Sequence, residues 1–464
     1  MRVAVIGGGI AGLAAAWDLV SGPEPAEVAV FEPGPLGGKI RTTPFGGRPV
    51  DEGPDAFIAR VPDAVALCRQ LGIDTELVAP AAGRALLWMG DRLRPLPDGL
   101  VLGAPARLWP TLRSGILSPL GLARAGLDVV LPRTRWPEDL SVADLISRRF
   151  GRQVASRLVD PLVGSIHAGD TAELSVQATA PQLAEAARRS RSLLLGLHRA
   201  PPSSGPMFLA PRAGMGRLVE ALHEALVTAG VTVSPTAVQG VRRARAGGVE
   251  IEPGGVFDRA VIATPAAAAG RLLEGASPAA TGGLAGIPSA SVVLVTLGYP
   301  AGTFAPAEGV SGVLVPRGEG RLMTACSFGS AKWSHWSDPG HTVLRVSTGR
   351  RGDDRAFHLD DAGLVDRLQD ELGAALGRPA TPTEWRVSRW PDAFPQYLVG
   401  HLQRVDRIEA DLARDLPGVA LAGAAYRGSG IPSCITSGRR AAAAVRGGDP
   451  GPGARADRRP LSPR

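Results

Sequence analysis

Val3-Ala4-Val5-Ile6 is an unbroken apolar run with the length of a buried parallel strand. It leads through Gly7-Gly8-Gly9-Ile10-Ala11-Gly12 into Leu13-Ala14-Ala15-Ala16-Trp17-Asp18-Leu19, a sequence of strong helix formers. A second apolar run, Val28 to Phe31, ends at Glu32. Strand, turn, helix and strand in this order predict an α/β fold opening on a parallel sheet. Pro62 to Leu71 predicts a helix with proline in its first turn and Gly72 as its stop. Ala85 to Met89 predicts a strand.

From about Ala106 to Leu197 the pattern turns helical. Leu108, Leu112, Ile116, Leu120, Leu122, Leu127 and Val130 recur near helical spacing, interrupted by Pro110, Pro119 and Pro132. Ser141 with Asp144 three residues on opens another helix. Arg188 to Arg199 predicts one basic, solvated helix face. Leu218 to Leu226 then predicts a helix and Val231 to Val233 a strand. The second half is rich in strands: Ser289 to Leu297, Val310 to Pro316, Met323 to Ser327 and Val343 to Ser347. A helix is predicted over Leu359 to Leu376, a strand at Leu421-Ala422-Gly423, and a helix opening at Gly430-Ile431-Pro432. From Gly447 the Gly, Pro, Asp and Arg composition predicts disorder.

Composition narrows the partners. The 464 residues suffice for two or three domains, and the net charge of +7 suits an acidic partner. Lys39 and Lys332 are the two lysines, so arginine carries nearly all the positive charge. Arginine is always charged and holds carboxylates bidentately. The arginines are dispersed without aromatic interleaving, which argues against nucleic acid. Cys68, Cys326 and Cys434 are few and far apart, the usage of a reducing, cytoplasmic compartment without disulfides. The seven histidines show no metal-ligand spacing. No apolar run reaches the length of a membrane span, and the apolar stretch at Val3 to Trp17 is explained by the glycine turn rather than by a secretory signal.

The chemistry lies first in the glycines. Gly7, Gly9 and Gly12 meet the G-x-G-x-x-G spacing, and Glu32 lies twenty residues beyond Gly12, where a ribose-binding carboxylate is expected. The helix start offers N–H groups and a positive dipole end to a pyrophosphate. Gly37-Gly38-Lys39 follows at once, then Glu52-Gly53-Pro54-Asp55-Ala56-Phe57. The glycine pair with lysine resembles the FAD-dependent amine-oxidase superfamily. The second string resembles the G-P-D-S-F segment of the oxygen-dependent porphyrinogen oxidases, with Ala56 in place of serine. Further stretches resemble that family: Pro95 to Pro105, in the Gram-positive type; Pro161 to Asp170; Phe208 to Leu218; Ala263-Thr264-Pro265; Ser330 to His335; Arg389 to Tyr397; and Gly423 to Ile435, the most specific of all.

The resemblance covers about residues 1 to 446. It implies a discontinuous Rossmann-type FAD domain (1–80, 206–285 and 385–446), a helical insertion (81–205) and an antiparallel substrate sheet (286–384), with 447–464 as tail. It implies that FAD is held by Gly7, Gly8, Gly9, Ile10, Ala11, Gly12, Glu32, Pro33, Gly38, Lys39, Gly53, Pro54, Asp55, Ala56, Val238, Ala263, Trp390, Ser429, Gly430 and Ile431, with Val238 beside the adenine and Trp390 by the flavin. His167 is read as a loop residue closing a turn. The implied reaction is oxidation of coproporphyrinogen III to coproporphyrin III in heme biosynthesis, with O2 reoxidising the flavin. Three cycles remove six electrons and release hydrogen peroxide. The cofactor carries the chemistry, so no side-chain base is assigned. Protoporphyrinogen IX is the alternative substrate; another oxidoreductase on the amine-oxidase fold and a non-enzymatic flavin binder are the other classes. A tetracarboxylate in an apolar cleft needs cations, and the helical region offers Arg107, Arg113, Arg124, Arg133 and Arg135. Peripheral membrane contact and transient contact with the next heme-pathway enzyme are left open.

Overall fold

The computed structural model describes residues 1–134, 136–199, 205–304 and 307–447. The tail expected to be disordered lies outside them from residue 448, as does Arg135.

A five-stranded parallel sheet runs in the order Thr232–Ser234, Glu27–Phe31, Arg2–Ile6, Arg259–Ile262, Val419–Leu421. Its two faces are both covered, as parallel sheets require. Val3, Val5, Val28 and Val30 face the helices Ile10–Ser21, Gly216–Thr228 and Ile431–Val445. Ala4, Ile6, Ala260 and Ile262 face the helices Ala266–Leu273, Pro278–Ala285 and His401–Asp415, with the three-stranded sheet over 240–257 beside them. The helices Ile10–Ser21 and Ile431–Val445 touch through Gly438, where a Cβ would lie 2.2 Å from the Ala11 carbonyl oxygen.

The second sheet has seven strands, in the order Glu384–Pro395, Ser289–Pro300, His341–Thr348, Met323–Ser327, Val310–Leu314, Arg84–Met89, Arg92–Pro95. All neighbours are antiparallel except Val310–Leu314 with Arg84–Met89. Two stretches therefore pair away from their sequence neighbours. The hairpin 84–95 leaves the helical stretch to extend this sheet, and Glu384–Pro395 forms its far edge.

The helical region packs its own core around Leu145, Ile146, Phe150 and Leu158. Ser141 caps the helix Val142–Phe150 through the Asp144 N–H, as expected. Residues Ala155–Gly164 form a π-helix around Pro161, running into the short helix Ser165–His167. The single basic helix expected at Arg188 to Arg199 is instead two helices, Pro181–Arg189 and Leu193–His198. The break has a local cause: buried Asp128 takes the Ser192 hydroxyl at 2.6 Å and the Leu194 N–H at 2.8 Å. That turns Leu193, Leu194 and Leu197 inward and leaves Arg188 and Arg189 exposed.

Candidate dinucleotide and substrate site

The first strand ends at Gly7, whose φ of +109° and close approach to the Ala263 carbonyl both demand glycine. Gly12 is as constrained, since a Cβ there would lie 2.0 Å from the Gly7 carbonyl oxygen. Gly9 differs: its φ is −72° and a Cβ there would meet no atom within 4 Å. It faces open space. Gly9 precedes the helix with no side chain to cap it, so the first-turn N–H groups point into that space. Gly37 donates to the Gly8 carbonyl at 2.8 Å, and Gly38, at φ +59°, would bring a Cβ within 3.4 Å of Gly9 Cα. The second glycine pair thus forms the lip of the same opening.

Glu32 follows the second strand. One carboxylate oxygen accepts the Gly8 N–H at 2.8 Å and the other the Gly34 N–H at 3.0 Å. The carboxylate is oriented with lone pairs to spare, as a ribose ligand would be. Pro33 lies exposed beside it, and Val238 is half-buried on the second core. On the other flank the buried Thr264 hydroxyl, next to Ala263, has no partner among the described residues.

The last helix adds a second uncapped N-terminus. Gly430 precedes Ile431–Val445. The two helices run parallel, because Gly438 meets Ala11 while Arg446 donates to the Leu19 carbonyl at 2.7 Å. Seven residues of helix extend past that crossing, about 10 Å. Ser429, Gly430 and Ile431 therefore stand farther along the same opening than Gly9. Two helix N-termini, an oriented carboxylate, an orphaned hydroxyl and a glycine-lined gap fit a dinucleotide with two phosphates.

The loop 51–56 closes the far end. Gly53 is pressed against Lys39, where a Cβ would come 2.1 Å from its carbonyl oxygen. Lys39 donates to the Ala393 carbonyl and is buried, which lowers its pKa. The loop carbonyls are held by the second sheet. Arg345 donates to Gly53 at 2.8 Å and Asp51 at 3.3 Å, and Trp390 Nε1 donates to Glu52 at 2.9 Å. Pro54 and Ala56 are half-buried on either side of Asp55. The Asp55 carboxylate meets Lys332 Nζ at 3.0 Å, Arg345 Nη2 at 3.2 Å and Trp333 Nε1 at 3.0 Å. Burial would raise its pKa, but Arg345 and Lys332 outweigh burial and hold it well below the usual carboxylate range. Asp51 lacks such cover: burial pushes it up to about 6. Arg41 lies over the Trp390 ring at 5.1 Å.

Residue by residue, Gly7 to Gly12, Glu32 and Gly38 surround the opening over Gly9, and Lys39, Gly53 to Ala56 and Trp390 meet at the sheet edge. Tyr397, the last residue of the Arg389 to Tyr397 string, was given no role by the sequence. Its hydroxyl accepts the Gly428 N–H at 3.0 Å and donates to the Ala424 carbonyl, fastening the loop before Gly430. Arg345 was also missed; its signal is an arginine inside the apolar run Val343 to Ser347. His167 ends the short helix Ser165–His167 rather than lying in a loop, and burial takes its pKa down to about 4.

Among the helical arginines, Arg124 is placed differently from its expected role. Arg124 donates to the carbonyls of Arg148 at 2.8 Å and Arg149 at 2.9 Å, where the helix Val142–Phe150 ends. Helix C-terminal carbonyls attract a cation, so this group is taken. Arg133 donates to the Arg188 carbonyl at 2.9 Å, Arg113 lies over Trp109, and Arg107 is exposed.

Comparison with known proteins agrees with this geometry. The model of the family "flavin containing amine oxidoreductase" matches residues 10–446. Coproporphyrinogen III oxidase of Bacillus subtilis is 33% identical over 457 residues, covering 95% of this chain and 97% of that protein. The Mycobacterium bovis protein of the same name is 35% identical over 458 residues, covering 95% and 96%. Protoporphyrinogen oxidase of Bos taurus is 30% identical, covering 97% and 99%. A crystal structure of a putative protoporphyrinogen oxidase from Exiguobacterium superposes with TM-score 0.85 at 30% identity, covering 94% and 97%. Reduced UDP-galactopyranose mutase shares the fold at TM-score 0.72 and 16% identity. The chain belongs to the flavin-containing amine oxidoreductase family.

Proposed function

We propose that the chain is an FAD-dependent oxidase that converts coproporphyrinogen III to coproporphyrin III with O2 as acceptor, in heme biosynthesis. The carrying observation is the glycine-lined opening over Gly9, with its two uncapped helix N-termini, running under the edge of the seven-stranded sheet at Trp390. End-to-end similarity to coproporphyrinogen III oxidases supports the substrate. When bound there, FAD would supply a hydride acceptor for the reduced macrocycle and a route for the electrons to oxygen. The N–H groups at Gly9 to Gly12 and at Ile431 seat the pyrophosphate side, and Glu32 takes the ribose hydroxyls. Gly38, Lys39 and the loop Gly53 to Ala56 hold the flavin end, with Trp390 as a wall, while Val238 and Ala263 border the adenine half. We assign no side-chain base.

The same reading divides the chain into a discontinuous cofactor domain, a helical insertion and a substrate sheet. Among the described residues no helix is long and apolar enough to cross a membrane. The proposal puts the enzyme in the cytoplasm, with transient delivery of product to the next heme-pathway enzyme. Anaerobic mixing with each porphyrinogen tests it. Coproporphyrinogen III should bleach the flavin faster than protoporphyrinogen IX. Faster bleaching by protoporphyrinogen, the compound in the bovine relative's name, reverses the substrate; bleaching by neither removes the activity.

A further inference from the structure

Arg350 is a half-buried cation with no ion pair among the described residues. Among the described residues its guanidinium makes no hydrogen bond and has no carboxylate oxygen within 4.0 Å, and its Nε is buried without a partner. The neighbouring acids are committed elsewhere. Arg355 holds Asp353 through two bonds of 2.8 Å, and Arg351 holds Glu173. Asp160 accepts the Thr171 hydroxyl at 2.8 Å, and burial pushes its carboxyl above the usual range.

The neighbour is instead a second cation. Arg317 donates to the carbonyls of Gly169 at 2.9 Å and Arg351 at 3.2 Å, and its Nε also lacks a partner. Its nearest carboxylate, Asp170, stands 3.9 Å away. Burial first, then Arg317, lowers the pKa of Arg350 against the opposing pull of Asp353 and Asp160. Desolvating a charge without a counter-ion is costly. A fold that leaves Arg350 without a close counter-ion, and Arg317 with one only at 3.9 Å, leaves a place for an anion from outside.

The place is beside the proposed reaction site. Arg350 opens the turn after the strand His341–Thr348. Gly349 packs on Ser291 and Val292, and Val292 pairs with Trp390. Two strand spacings, about 10 Å, separate the turn from Trp390. Ala168, Ala290 and Val292 form a small apolar cluster with Trp390 and Phe394, and Ala168 accepts the Arg351 N–H at 2.8 Å. A flat apolar ring lying along that cluster from Trp390 would bring an acidic substituent to the two arginines.

We propose that Arg350, backed by Arg317, seats a propionate carboxylate of the tetrapyrrole. The inference rests on the proposed function and assigns specificity to the end of the substrate sheet, not to the helical arginines. Arg317 is the positioning residue: its two carbonyl bonds tie the helical region at Gly169 to the turn that carries Arg350.

The test titrates coproporphyrin III and its tetramethyl ester onto FAD-loaded wild type, Arg350→Met and Arg350→Lys, followed by porphyrin fluorescence. Arg350→Met should weaken acid binding by about tenfold or more, the worth of one charge-assisted hydrogen bond, and leave ester binding unchanged. Arg350→Lys should recover part of the loss, keeping the charge without the planar fork. Acid affinity within twofold of wild type overturns the seat. Equal loss for acid and ester also overturns it, because packing is then responsible. Flavin bleaching of wild type by coproporphyrinogen, measured alongside, reports on the proposed activity separately from the seat.

Discussion

Removing both cations from Asp55 should reverse the sign of its contribution to stability with pH. In the native protein Arg345 and Lys332 hold this carboxyl well below its usual range against the effect of burial. A depressed carboxyl stabilises the fold above its unfolded pKa of about 3.9 and loses that contribution as the pH falls toward the folded value. Arg345→Met removes the 3.2 Å ion pair and leaves the Gly53 and Asp51 carbonyls without their donor. Lys332 still covers the carboxylate, so the loss is of two charge-assisted hydrogen bonds and part of a pair, about 3 kcal/mol. With Lys332→Met added, burial alone remains beside the Trp333 N–H, and the pKa moves above its unfolded value. The folded state then binds a proton that the unfolded chain releases, so stability must fall as pH rises from about 4. Urea unfolding of the FAD-loaded proteins from pH 5 to 8, followed by flavin release, measures this. A double variant whose pH slope matches wild type would refute the assignment of Asp55 to these two cations.

FAD should be non-covalent, and denaturation followed by ultrafiltration should release all the flavin. The motive is Cys434, the one cysteine in the cofactor motifs, whose thiol burial pushes up to about 11, out of the reactive thiolate range. Gly9→Val should yield colourless protein. Its φ of −72° suits any residue, so the cause is the filled pyrophosphate space, and a variant with normal flavin absorbance would contradict the cradle. Tyr397→Phe should cost about 2 kcal/mol by stranding the Gly428 N–H and Ala424 carbonyl, and should weaken flavin retention. An unchanged apparent Kd for FAD would show that the Gly428 loop is fixed by other contacts.

What could be read from the sequence was local. The run Val3 to Gly12 and Glu32 specify a strand, a turn and a helix within thirty-two residues, and each element stands where the pattern placed it. The clamp on the loop 51–56 was invisible because its partners lie far along the chain: Asp55 meets Lys332 at a separation of 277 residues and Gly53 meets Arg345 at 292. Hydrophobic period reports which side of an element is buried and says nothing of what it is buried against. The strand at Ala85 to Met89 was legible but its place in the second sheet was not, since its parallel partner Val310–Leu314 is more than two hundred residues on. Arg124 looked like a ligand-binding cation because the helix end that consumes its donors lies over twenty residues downstream.

The meeting of Gly438 with Ala11 sets the order of events during synthesis. The first helix of the cradle is made within the first twenty-one residues, while the helix that completes it spans Ile431–Val445. Until that last helix has left the ribosome, the opening over Gly9 lacks one of its two N-termini and the apolar side of Ile10–Ser21 lacks its cover. A growing chain that has not reached residue 431 therefore carries an exposed, unfinished face, and the cofactor cradle is complete only once Ile431–Val445 has docked. Chains cut short before residue 431 should emerge flavin-free and dependent on chaperones.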